Sequence, residues 1–123
     1  MAAKKKATAV VEKAEAVLRM SSYGVEEPTL QIVVRISDLT RGPRYGHAVG
    51  LRAASEIEMA LAEANDTGWL VNAPAWGDEQ RLAEGWRLRF SIGLEGCRGA
   101  KPDVAMAVLT KVAYALAGKG GSR

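Results

Sequence analysis

The chain has 123 residues, 48% of them hydrophobic and 25% charged, with a formal net charge of +3. That balance fits one ordinary globular domain able to bury a core unaided and excludes a disordered, charge-dominated chain. Cys97 is the only cysteine and His47 the only histidine, which excludes an intramolecular disulfide and a cysteine- or histidine-pair metal site.

Lys4, Lys5 and Lys6 open the chain with a basic run. Glu12, Lys13 and Glu15 interrupt any apolar stretch behind it, so the start does not read as an export signal. No uncharged run reaches the roughly 18 residues that a membrane span requires. The expectation is a cytoplasmic protein, or a virion component if it is a phage structural protein, with no membrane partner.

From Ala7 to Leu18 the apolar positions 7, 10, 11, 14, 17 and 18 recur at helical spacing, which predicts an amphipathic N-terminal helix. Ser21 to Gly24 and Pro28 break the pattern, and an extended run from Thr29 to Leu39 follows, with Leu30, Ile32, Val34 and Ile36 on one face. Thr40 to Gly46 reads as a turn-rich loop before a second helix whose buried stripe is Leu51, Ala54, Ile57 and Leu61. Asn65 to Gly68 stop that helix, and Trp69 to Ala73 form a short strand closed by Pro74. Residues 75–85 fit a helical turn or the outer arm of a hairpin equally well.

Trp86 to Leu94 is the clearest strand, because Trp86, Leu88, Phe90, Ile92 and Leu94 alternate with Arg87, Arg89, Ser91 and Gly93. Pro102 and Asp103 start a last helix carrying Val104, Val108, Leu109, Val112 and Leu116, with Gly118 as its stop. The predicted layout is a basic tail over 1–6, one α/β domain over 7–117 and a flexible tail over 118–123. Its fold class is α/β (α+β): a two-layer sandwich of order α-β-α-β-β-α, a split βαβ or incomplete ferredoxin-like arrangement with an extra N-terminal helix.

Strand parity carries the functional reading. If Trp86, Leu88 and Phe90 face the core, then Arg87 and Arg89 face away from it, and Arg35 joins them from the neighbouring strand. Guanidinium forks on an open face suit phosphate oxygens. Arg41 and Arg44, in the loop before the second helix, and Lys4, Lys5 and Lys6 would add to such contacts. The aromatic rings go to the core by the same parity, so backbone contact with nucleic acid rather than base reading is expected. The arginines can also serve only to solvate the sheet or to pair with Glu27, Glu84 and Glu95.

Three function classes follow. The first is a non-enzymatic nucleic-acid-binding protein using Arg35, Arg41, Arg44, Arg87, Arg89 and the three lysines. The second is a structural subunit assembling with copies of itself through an open sheet edge and the first helix, with Trp76 as a partner anchor. The third is a small enzyme acting on a phosphorylated substrate near His47, with Asp38 as a possible orienting carboxylate. No catalytic residue, metal or cofactor is assigned.

Overall fold

The structure, a computed structural model, describes residues 9–96 and 101–121, with side chains described through residue 118. Its elements in chain order are β1 (Ala9–Met20), β2 (Glu26–Ile36), α1 (Gly42–Glu63), β3 (Trp69–Val71), β4 (Ala75–Leu82), β5 (Gly85–Gly96) and α2 (Pro102–Gly121). The five strands form one antiparallel sheet in which β1 pairs β2 and β2 pairs β5. The other edge of β5 is shared, with β4 along its first half and β3 along its last residues. Since β2 and the β3/β4 edge both run antiparallel to β5, they run parallel to each other on its two flanks, with α1 as the connection between them.

The first element is a strand, and the predicted N-terminal helix is corrected. The reason is a β-bulge at Glu12: Val11 pairs Val34, Lys13 pairs Val33 and Ala14 pairs Ile32. A bulge inserts one residue, so core-facing positions that would fall every two residues step by three from Val11 to Ala14. That step imitates the i, i+3 spacing of a helix. Past the bulge, Ala14, Ala16 and Leu18 resume a period of two on the helix side, while Lys13, Glu15, Val17 and Arg19 point to the other face. The order α-β-α-β-β-α is therefore replaced by β-β-α-β-β-β-α.

Residues 75–85 resolve as a hairpin arm. β4 lies on a sheet edge and most of its side chains are exposed on both faces, so it carries no alternation to read. The strand expected over 29–39 begins three residues earlier and ends at Ile36. α2 runs past Gly118 to Gly121.

The core is one layer between the sheet and the two helices, built on Leu30, Ile32, Val34 and Ile36 of β2 and Leu88, Phe90, Ile92 and Leu94 of β5. Each such side chain contributes about 1.5–3 kcal/mol on full burial. α2 lies over β1 and β2, and α1 over β5 and β2. The expected stripe of α1 is corrected in part: Ile57 and Leu61 are buried, but Leu51 is 51% exposed and Ala54 only half-buried.

What faces the sheet instead is Gly42, Gly46, Gly50 and Ala53. The three glycines stand against Trp86, Leu88 and Phe90 in turn. Four residues of helix rise about 6 Å and two of strand about 6.6 Å, so the two repeats stay in step. The glycines let the helix backbone approach the sheet where larger residues would hold it off.

Candidate functional site

Neither helix covers the far face of the sheet. β5 sends Arg87 and Arg89 to that face and β2 sends Arg35, as strand parity predicts. In register, Arg35 lies beside Arg87 and then Gln80, and Val33 lies beside Arg89 and then Asp78. The surface is a shallow trough of about 440 Å³ reaching from Lys13, Glu15 and Arg19 on β1 across Gln31 to Asp78 and Arg89.

The bulge that disguised β1 also builds the centre of this face. Glu12, the bulged residue, reaches both arginines beside it: its Oε1 accepts from Arg87 Nε at 3.0 Å, and its Oε2 lies 3.3 Å from Arg35 Nε. Arg87 donates a second bond to Gln80 Oε1 at 3.3 Å. Arg89 pairs with Asp78 at 3.4 Å and Lys13 with Glu15 at 3.0 Å. Such exposed pairs contribute about 0–1 kcal/mol each, but they set the charge that a ligand meets.

That charge is modest. Residues 9–96 and 101–118 hold all fourteen acidic side chains against eleven of the seventeen Lys and Arg, so the described body carries a net −3. The basic excess belongs to Lys4, Lys5, Lys6, Arg98, Lys119 and Arg123. Lys4, Lys5 and Lys6 lie outside the described residues, as does Cys97.

Arg41 and Arg44 form a separate cluster on the helix side of the sheet. There Asp38 Oδ1 accepts from the Thr40 amide at 2.8 Å and from Thr40 Oγ1 at 2.7 Å, closing the turn into α1. Arg41 lies 3.7 Å from Asp38 and stacks over Tyr45 at 5.3 Å. The Asp38 carboxyl is held below its ordinary value of 3.8, first by the Thr40 hydroxyl and amide and then by Arg41. Arg41 is the N-cap of α1 and Arg44 stands in its first turn, where a loop was expected; the sheet therefore separates them from Arg35, Arg87 and Arg89, and the two groups do not make one surface.

His47 lies on α1, half-buried, with its ring 5.8 Å from that of Trp76 and its buried Nδ1 without a hydrogen-bond partner among the described residues. Asp38 is engaged with Thr40 and Arg41. Trp76 stands on the helix side of β4, 36% exposed, edge-on to Phe90 at 4.9 Å. It closes the core beside Gly46.

The sequence reading missed the outer edge of β1. Among the described residues this strand pairs only with β2, and the hairpin it forms with β2 carries exposed Leu18 (47%), Met20 (66%), Tyr23 (89%) and Val25 (59%) toward its tip. Beyond Thr29 the hairpin leaves β5, because Pro28 has no N–H for the ladder. Recognising 9–20 as a strand was the signal needed.

Comparison of the chain with protein-family models, curated proteins and solved structures returns no match. No group of three or more His, Cys, Asp or Glu among the described residues is placed to hold a metal ion. No helix among them is long and apolar enough to cross a membrane.

Proposed function

We propose that the protein is a non-enzymatic assembly subunit that associates with copies of itself through the outer edge of β1. The observation that carries this reading is a 12-residue edge strand, unpaired on one side among the described residues, with four large exposed apolar side chains on it and the turn beside it. An open edge presents a row of free N–H and C=O groups, and soluble chains blunt such edges or cover them. The opposite edge is blunted: it is split by Asn72 to Pro74, bulged between Trp76 and Asp78, and charged at Asp78, Glu79 and Arg81. β1 over residues 14–20 carries the charges Glu15 and Arg19 but has neither a split nor a bulge. Light-scattering mass across concentration tests the proposal: a dimer or larger species supports it, and a strict monomer at high concentration overturns it.

A second reading, contact with a nucleic-acid phosphate backbone, is favoured by one observation. Arg35 and Arg87 share a single carboxylate, so this pair of cations is only half neutralised on an uncovered face, with Arg89 in the next row. Each guanidinium offers five donors, most of them free for oxygens of a ligand. The basic residues outside the described body would add long-range attraction, while Arg41 and Arg44 would contact a strand only around the sheet edge. The −3 charge of the body ranks this reading second. Retention on DNA or RNA that falls steeply between two salt concentrations supports it, and no retention at low salt removes it.

The strand positions also support a reading of the fold as a circularly permuted ferredoxin-like sheet. β2, α1, β3/β4, β5 and α2 follow the order of that fold, and β1 takes the edge place beside β2 that its final strand would fill. Function is not inferred from it.

A further inference from the structure

We infer that two copies join β1 to β1 antiparallel about a two-fold axis at Val17, forming one continuous sheet; this rests on the self-association proposed above and specifies its register. In antiparallel pairing about a two-fold axis, each residue meets its mirror position, and residues of one face meet residues of the same face. The side chains of β1 then discriminate among the possible centres.

A centre at Glu15 sets Glu15 against its own copy. A centre at Ala16 sets Lys13 against Arg19, again like against like. A centre at Ala14 places the Glu12 bulge inside the ladder, where it breaks the pairing. A centre at Leu18 leaves only residues 16–20 of the strand to pair. At Val17, the ladder runs unbroken over residues 14–20.

In that register Glu15 meets Arg19 twice, once on each side of the axis, on the uncovered face of the sheet. Val17 meets its own copy between these charge pairs. On the helix side, Met20 meets Ala14 and Leu18 meets Ala16, so each large exposed apolar side chain lies opposite a small one. Small against large is the pairing that lets side chains interdigitate without a void. The two uncovered faces then look the same way, and the pair presents two sets of Arg35, Glu12 and Arg87 on a single surface.

Cysteine cross-linking in a Cys97→Ser background tests the register directly. A pair of residues on the axis has its Cα atoms about 4.5–5.5 Å apart, within the span of a disulfide. Val17→Cys is therefore expected to give a covalent dimer on mild oxidation. Ala16→Cys alone is expected to give none, and a mixture of Ala16→Cys with Leu18→Cys chains to give a linked pair. Charge reversal supplies a second measurement. Glu15→Arg and Arg19→Glu each weaken dimerisation, by about 10-fold, and the double variant restores it. If the protein is oligomeric but Val17→Cys does not cross-link and the two reversals do not compensate, the register is wrong and the assembly reading stands. If the protein is a monomer at every concentration, both fail.

Discussion

The glycine ridge of α1 makes an opposed pair of predictions from one kind of substitution. Gly46→Ala adds a methyl whose carbon would sit 2.1 Å from Leu88 Cδ1 and 3.4 Å from Ile36 Cδ1, both on side chains that are fully buried. Alanine in a helix interior gains about 1 kcal/mol over glycine. Overpacking of a full core costs about 1–3 kcal/mol, and because Leu88 is fully buried, the overlap at its Cδ1 is placed toward the upper end of that range. The net expectation is a loss of about 2 kcal/mol, or roughly 6–10 °C in Tm for a domain of this size.

Gly118→Ala, also within a helix, meets nothing within 4 Å and is expected to gain about 0.5–1 kcal/mol. Urea titrations followed by circular dichroism read both. A Gly46→Ala protein as stable as the parent would refute the close approach of α1 to β5.

Gly85→Ala is expected to cost about 3 kcal/mol or more, since φ is +148° and the new carbon would lie 1.8 Å from the Ile36 carbonyl oxygen, which the β2–β5 ladder holds in place; an unchanged urea midpoint contradicts this. Asp38→Asn should flatten the acid limb of stability. The Asp38 carboxyl is depressed in the folded state, so its stabilisation is complete above the ordinary 3.8 and is lost as pH falls through the folded value; an acid limb of unchanged slope contradicts it. Glu12→Gln removes the carboxylate shared by Arg35 and Arg87. It should strengthen retention on heparin or DNA and cost about 1 kcal/mol of stability; retention no stronger than the parent's contradicts the second functional reading.

β5 was legible because Leu88 to Leu94 alternate strictly with the residues of the other face, and β2 because Leu30, Ile32, Val34 and Ile36 keep one face apolar although Thr29 is also buried. α2 was legible because Val104, Val108, Leu109, Val112 and Leu116 repeat at helical spacing behind a proline start. β1 was not, because one bulged residue shifts the phase of its apolar positions and the shifted pattern satisfies the helical template. The stripe of α1 was misplaced because its closest contacts are made by glycine, which a hydrophobic pattern does not count.

The arginines were placed on the correct face by parity, but their pairing was expected with Glu27, Glu84 and Glu95, whereas they pair with Glu12 and Asp78. Glu12 belongs to an element read as a helix, and Asp78 to one left without a reading. The error in β1 thus hid both the neutralising carboxylate of the site and the unpaired edge beside it.

Hydrogen exchange across β1 examines that edge amide by amide. If a second copy covers it, amides of residues 14–20 that point away from β2 exchange slowly in concentrated solution and speed up on dilution, while those bonded to β2 stay slow throughout. Outward amides that exchange freely and equally at every concentration would mean that nothing pairs with β1, and the proposed assembly edge would be only a solvated margin of the sheet.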